Sequence, residues 1–83
     1  MAHYVYILYS EKANRYYIGS TSNTEERLRR HNAGATPSTK QGRPWKIVYT
    51  EIYTTKTEAV QREIYLKKMK SRVYIEALIA KKN

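Results

Sequence analysis

Five side chains in this sequence have types and spacings suited to chemistry on an anion: Tyr6, Tyr17, Arg27, His31 and Glu63. Arg27 and His31 are four residues apart, so on a helix they share one face and can reach the same anion. Glu63 falls among apolar positions at helical spacing, where a carboxylate needs either a salt bridge or a bound cation. An exposed arginine and a histidine that interacts with a helix C-terminus are the plain alternatives for the other pair, and the residues alone leave them open.

The two tyrosines belong to a predicted β-hairpin. Residues 3–9 are apolar or aromatic at nearly every position, which is typical of a central strand covered on both faces. Residues 15–20 form a second strand after a polar turn. If Tyr9 pairs with Asn14, Tyr6 lies directly opposite Tyr17, and both phenols point to one face as either a packing pair or a chemical one.

The segment that follows carries many basic residues. Ser22 and Glu25 have the spacing of a capping box, which predicts a helix over residues 23–33, with Gly34 placed to close it. Several arginines, Arg30 among them, make this helix strongly basic.

A loop is predicted next. Residues 32–44 are rich in Gly, Ser, Thr and Pro, which indicates a mobile connection. Its basic tip, Lys40 and Arg43, could contact a nucleic-acid backbone, and an ordinary connecting loop explains the same residues equally well.

The remaining chain predicts a third strand over residues 45–54 and two helices over residues 56–70 and 73–82. Thr55 and Glu58 offer a second capping box. The predicted buried positions of the two helices are Ala59, Val60, Ile64, Leu66, Tyr74, Ile75, Leu78 and Ile79. The order β-β-α-β-α-α predicts an α+β fold. Its three-stranded antiparallel sheet has the first strand in the centre, flanked by three helices, in one domain over residues 1–83.

Composition limits the function further. Sixteen Lys and Arg against seven Glu give a net charge of +9, which favours a nucleic-acid partner over a membrane surface, although solvated helix faces could also carry basic residues. Nine tyrosines and one tryptophan supply rings that can stack on bases. The sequence has no Cys, no Asp and no glycine-rich phosphate loop, and the scattered glutamates cannot hold two metal ions. We expect a soluble cytoplasmic protein without a membrane segment.

Taken together, the motifs resemble the GIY-YIG nuclease superfamily, and its small stand-alone members most closely. The matching positions are Tyr4-Val5-Tyr6, Tyr17-Ile18-Gly19, Arg27, His31-Asn32 and Glu63. The resemblance extends from about His3 to Lys70. Tyr4 stands where the family usually has its first glycine, a position without a chemical role.

The resemblance implies an endonuclease that hydrolyses DNA phosphodiesters with one divalent cation, Mg²⁺ or Mn²⁺, held by Glu63. By the same resemblance Tyr6 acts as general base with help from Tyr17, Arg27 braces the scissile phosphate and His31 shares the proton transfer. A free tyrosine has a pKa near 10, so we expect nearby cations to lower it.

Further expectations concern the substrate. Gly19 is expected to end its strand and leave room for the nucleic-acid backbone, and Arg30, Lys40 and Arg43 to bind that backbone. The expected substrate is branched, nicked or single-stranded DNA, with a role in DNA repair; RNA and a protein partner that supplies specificity are also considered. The alternative function is a basic DNA- or RNA-binding accessory protein that keeps the fold and cleaves weakly or not at all.

Overall fold

The structure is a computed structural model that describes residues 2–82. Its elements are β1 (His3–Ser10), β2 (Arg15–Thr21), α1 (Thr24–Asn32), a short 3-10 helix (Pro37–Gly42), β3 (Trp45–Tyr53), α2 (Lys56–Met69) and α3 (Arg72–Lys82). The three strands form one antiparallel sheet in the order β2-β1-β3. The predicted α+β fold with the first strand in the centre is therefore confirmed.

The central position of β1 explains why its apolar residues do not alternate with polar ones. Residues 5–8 are all buried to 1% exposure or less, because both faces of the sheet are covered. Val5 and Ile7 pack toward the helices α2 and α3, and Tyr6 and Leu8 pack on the opposite face. The first face also holds Ile18, Ala59, Leu66 and Ile75, and the second holds Trp45 with Tyr17, Leu28 and Ile47 around it.

The register of the hairpin corrects the predicted pairing. Ser10 pairs with Arg15, so Tyr6 lies opposite Gly19 and not opposite Tyr17. The physical reason is Asn14, which adopts a left-handed conformation with φ of 53° and so belongs to the turn and not to the strand. Because this pairing is two residues from the predicted one, Tyr6 and Tyr17 still share a face, with ring centroids 6.5 Å apart.

Of the two predicted helix N-caps, one is confirmed and the other is wrong. The Thr55 side chain accepts a hydrogen bond from the Glu58 N–H and caps α2, as its sequence predicts. In α1 the cap is Asn23, whose side chain accepts from the Glu26 N–H, so the predicted Ser22 box is wrong. Asn23 has the extended backbone that a cap needs, and its side-chain oxygen lies 3.1 Å from the Glu26 nitrogen.

Two burial predictions also change. Ile64 is 51% exposed, because α2 turns only its Ala59 and Leu66 side fully toward the sheet. The connection predicted as a mobile loop contains the 3-10 helix and buries Thr39 completely. By contrast α3 packs Tyr74, Ile75, Leu78 and Ile79 against the core as predicted, and the Ser71 hydroxyl accepts from the Tyr74 N–H at its start.

A polar cluster fastens β3 to α2. The Glu51 carboxylate accepts hydrogen bonds from Arg62 at 3.0 and 3.1 Å, from Tyr53 at 2.7 Å and from Tyr49. Burial would raise the pKa of Glu51, but the hydrogen bonds from Arg62 and the two phenols outweigh burial and lower it. Across residues 2–82, no helix combines the length and apolarity required to cross a membrane.

Candidate active site

The five candidate residues come together at the open edge of β2. His31 packs edge-on against both tyrosine rings, with centroids 6.1 Å from Tyr6 and 4.9 Å from Tyr17. Arg27, one turn earlier on α1, lies beside the Tyr6 hydroxyl and acts on its pKa. Glu63 approaches from α2, close enough that its charge also acts on Tyr6. Residues separated by up to 57 positions in sequence therefore occupy one site.

A chain of hydrogen bonds connects Tyr6 through His31 and Thr39 to the 3-10 helix region. The Tyr6 hydroxyl lies 3.1 Å from His31 Nε2, and His31 Nδ1 lies 2.8 Å from Thr39 Oγ1. Thr39 donates its hydroxyl hydrogen to the Thr36 carbonyl oxygen at 3.2 Å, so its oxygen is left to accept from His31 Nδ1–H. The neutral histidine then has a bare Nε2, and Tyr6 donates to it. The geometry thus selects one tautomer of His31.

The pKa of Tyr6 corrects the expectation that nearby cations lower it. Burial raises the pKa of Tyr6 to about 12, and Arg27 beside the phenol only partly opposes the shift. The nearby cations therefore do not lower the pKa below its ordinary value. Burial and the charges of Arg27 and Arg30 lower the pKa of His31, which keeps the imidazole neutral near pH 7 and Nε2 free to accept.

Gly19 has a role different from the expected one. It is buried inside β2, which continues to Thr21, and it does not end the strand. A Cβ built at Gly19 would meet the Tyr6 hydroxyl and come within 2.5 Å of the ring carbon that bears it. The missing side chain therefore makes room for Tyr6, and the space that was expected for a nucleic-acid backbone is filled by the phenol.

Glu63 is held by two partners at the same sheet edge. Its Oε1 accepts from the Ser20 hydroxyl at 2.6 Å, and its Oε2 pairs with the Lys67 ammonium at 2.6 Å. Its side chain is 18% exposed. Of the two readings left open by the sequence, the salt bridge is present in this structure, and Lys67 also reaches to 5.9 Å from the Tyr17 ring centroid.

The side-chain atoms available as ligands limit which metal ion this site could hold. Within residues 2–82 no group of three or more His, Cys, Asp and Glu side chains is arranged to hold a metal ion. One half-buried carboxylate beside a hydroxyl fits a single oxygen-preferring cation such as Mg²⁺, which takes most of its ligands from water and substrate phosphate. The Lys67 ammonium at Oε2 shows that the carboxylate already attracts one positive charge.

The expected substrate-binding residues fall into two places. Arg30 is exposed on α1 and lines a shallow groove together with Arg27. Lys40, within the 3-10 helix, and Arg43, directly after it, are exposed and line a different groove with Lys12. Arg43 Nε donates to the Lys40 carbonyl oxygen at 2.8 Å. The candidate backbone contacts therefore extend from α1 to the 3-10 helix.

Three residues that support the site were missed by sequence reasoning, and a fourth, Asn32, was noted only as a motif position. Thr39 orients His31, and Ser20 and Lys67 hold Glu63. Asn32 binds the Trp45 backbone through both its amide groups, at 2.6 and 3.0 Å, and so fixes the end of α1 to the start of β3. Among the three missed residues only Lys67 had a signal, its i,i+4 spacing from Glu63.

The fold, with β1 between β2 and β3, and the positions of these residues are those of a GIY-YIG domain. The sequence profile of the GIY-YIG catalytic domain matches residues 2–75. The chain therefore belongs to the GIY-YIG family, as the resemblance implied.

Relatives and a solved structure agree with this assignment. A UPF0213 protein of Staphylococcus haemolyticus is 46% identical over 66 residues, which cover 78% of this chain and 79% of that protein. A UPF0213 protein of Natronomonas pharaonis is 40% identical over 79 residues, 94% of this chain and 91% of the relative. The solution NMR structure of a UPF0213 protein from Bacillus halodurans superimposes with a TM-score of 0.57 at 34% identity, covering 96% of this chain and 84% of that one.

Proposed function

We propose that this protein is a metal-dependent DNA endonuclease that selects its substrate by structure. The observation that carries the proposal is the convergence of the Tyr6–His31–Thr39 chain, Arg27 and Glu63 at one sheet edge. Membership of a nuclease family and a net charge of +9 support a nucleic-acid substrate.

Proton transfer is assigned to Tyr6 and His31 together. With a pKa of about 12, Tyr6 carries its proton at neutral pH and cannot serve as a base alone. His31 Nε2 accepts that proton while the phenol oxygen takes a proton from the attacking water, whose oxygen forms the new bond to phosphorus. The bond between phosphorus and the leaving sugar oxygen breaks, and that oxygen takes up a proton from solvent. Thr39 keeps Nδ1–H in place and stabilises the resulting imidazolium.

Stabilisation of the negative charge on the phosphate is assigned to Arg27 and to a cation held by Glu63. The Arg27 guanidinium is half-buried beside the phenol, where it can pair with the phosphate oxygens as their charge grows. A divalent cation at Glu63, Mg²⁺ or Mn²⁺, would polarise a phosphoryl oxygen and offset negative charge. Ser20 holds the Glu63 carboxylate in the orientation for this task. Tyr17 packs on His31 and limits its movement.

One observation favours a second candidate, a basic nucleic-acid-binding accessory protein. The Lys67 ammonium already neutralises Glu63, as a structural salt bridge would in a domain that had lost catalysis. Under this alternative the site keeps its packing and the protein binds DNA or RNA without cutting it.

A cleavage assay separates the two candidates. Branched, nicked and single-stranded DNA are incubated with the protein and Mg²⁺ or Mn²⁺, beside the variants Glu63→Gln and Tyr6→Phe. We expect cleavage of at least one substrate that both variants lose, because each removes a reacting group and keeps the side-chain shape. Equal trace cleavage by all three proteins, with binding that weakens steeply as salt rises, would establish the accessory function instead.

A further inference from the structure

A pocket of about 400 Å³ lies beside the candidate site, between β2 and the corner where α2 meets α3. Its floor consists of Ile18, Leu66 and Ile75, which are 8%, 0% and 7% exposed. Its volume falls in the range of pockets that hold one small organic ligand. An apolar floor of this kind suits a flat, weakly hydrated group.

The walls supply planar groups on which such a ligand can stack. Tyr16 and Tyr17 both line the pocket. The Arg72 guanidinium lies 5.1 Å from the Tyr16 ring centroid, and its side chain is 46% exposed, so part of the planar group remains accessible. Nucleobases are commonly bound on tyrosine rings and guanidinium planes of this type.

The rim is positively charged. Lys67 and Lys70 stand at its edge, and among the described residues that line the pocket none is acidic. The polar side chains of its wall are already engaged, since Asn14 accepts from Arg72 and Ser71 caps α3. The pocket therefore offers a phosphate the Lys70 ammonium beside that of Lys67, which is already paired with Glu63, and few free polar groups to read a particular base.

The pocket is continuous with the candidate active site. Tyr17 and Lys67 belong to both, and the Lys67 ammonium that lies 5.9 Å from the Tyr17 ring centroid is 2.6 Å from the Glu63 carboxylate. A nucleotide in the pocket would thus be a near neighbour of a phosphate at Glu63.

We propose that this pocket binds one unpaired nucleotide of the substrate strand, next to the scissile phosphate, with its base on the apolar floor and its phosphate at the lysine rim. Bases within a duplex are stacked and paired, so only a nucleotide out of the stack can enter. The pocket then selects DNA with an unpaired nucleotide near the cleavage point, without preference for its sequence. This inference rests on the proposed nuclease function.

The test measures binding and not cleavage. Glu63→Gln protein is titrated at fixed salt with a labelled single strand of about eight nucleotides, within the usual site size for such strands. The strand is then replaced by strands in which each position in turn lacks its base but keeps its phosphate. We expect one abasic position to weaken binding about tenfold, the loss typical of one stacked base.

Three protein variants in the same background connect the effect to the pocket. Ile75→Phe fills the pocket without changing charge and should abolish the abasic effect, with its fold checked by circular dichroism. Lys70→Asn removes a rim charge at a residue whose φ of 47° is left-handed, a conformation that asparagine tolerates, so the fold is not at risk. Lys68→Gln, on the same helix but outside the pocket, is the charge-matched control. Lys70→Asn should weaken binding about fivefold and Lys68→Gln less than about twofold.

The outcomes are distinct from those of the cleavage assay. If no abasic position matters, or if Lys70→Asn and Lys68→Gln weaken binding equally, the protein holds only the strand backbone and the pocket inference is overturned, even where wild type cleaves DNA. If the abasic effect and its loss in Ile75→Phe are found but wild type cleaves nothing, the pocket stands and the nuclease proposal fails.

Discussion

Replacing Thr39 by valine should detach His31, the proposed proton acceptor, from its support. Thr39 is fully buried and its hydroxyl accepts from His31 Nδ1–H, while His31 itself is 1% exposed. Valine has nearly the same shape but no oxygen, so it leaves a buried N–H without an acceptor. The matched control is Thr39→Ser, which keeps the oxygen and loses only a methyl group.

The expected cost can be worked from these contacts. A buried donor without a partner costs about 1–3 kcal/mol. In a domain of this size each kcal/mol lowers the melting temperature by about 4–8 °C, so a loss of about 2 kcal/mol predicts a fall of about 8–16 °C. His31 can avoid the cost only by moving its hydrogen to Nε2, which would reverse the hydrogen bond to the Tyr6 hydroxyl and leave Nε2 unable to take the phenol proton. We therefore also expect cleavage to fall about 100-fold, a typical contribution of general acid–base catalysis.

Three measurements check this prediction. Urea unfolding compares the free energies of the valine and serine variants, and ¹⁵N NMR of the imidazole reports which nitrogen carries the hydrogen. Initial cleavage rates complete the set. If Thr39→Val unfolds within about 0.5 kcal/mol of Thr39→Ser, or if wild-type His31 carries its hydrogen on Nε2, the proposed hydrogen-bond chain is wrong.

Further predictions concern stability and pH. Gly19→Ala should lower the free energy of unfolding by about 1–3 kcal/mol, because its Cβ would strike the Tyr6 ring, and Tyr6→Phe in the same chain should recover part of the loss in urea unfolding. The folded-state pKa of His31 is lowered, so its contribution to stability is complete above about pH 6.5 and is lost as pH falls through the folded pKa. A His31→Asn variant should lack that pH dependence in thermal melts, and a melt that parallels wild type between pH 7 and 5 would contradict the assignment. Glu51→Gln should cost about 2 kcal/mol through its weakened bonds to Arg62, and an unchanged urea midpoint would show that the pair contributes nothing.

The order of elements was predictable because each has a strong local signal. The run of apolar residues in β1 requires cover on both faces, and the Thr55 cap marks the start of α2. Strand register is a weaker signal, since it depends on which turn residue adopts a left-handed conformation. Asn14 does so here, and the sequence alone allowed the turn to begin one residue earlier.

The supporting residues of the site could not be predicted for a different reason. Tyr6, Arg27 and Glu63 stood out through their place in the family motif, whereas Thr39 and Ser20 become important only through contacts across the fold. Thr39 lies in a segment whose composition indicates a loop, and nothing local shows that a 3-10 helix turns its hydroxyl toward His31. The direction of the Tyr6 pKa likewise depends on burial, which the count of nearby positive charges does not reveal.

The geometry of β2 explains why the candidate site lies at a sheet edge. Successive side chains of a strand point to opposite faces, so Tyr17 and Gly19 face α1 while Ser20 faces α2. Tyr6 and His31, the proposed proton-transfer pair, lie on the first face, and Glu63, held by Ser20, lies on the second. Among the described residues no further strand lies beyond the outer edge of β2. Under the proposed mechanism, this edge is therefore where Tyr6 and His31 on one face and Glu63 on the other can reach the same phosphate. A further strand paired along this edge would therefore separate the two halves without altering Tyr6, His31 or Glu63.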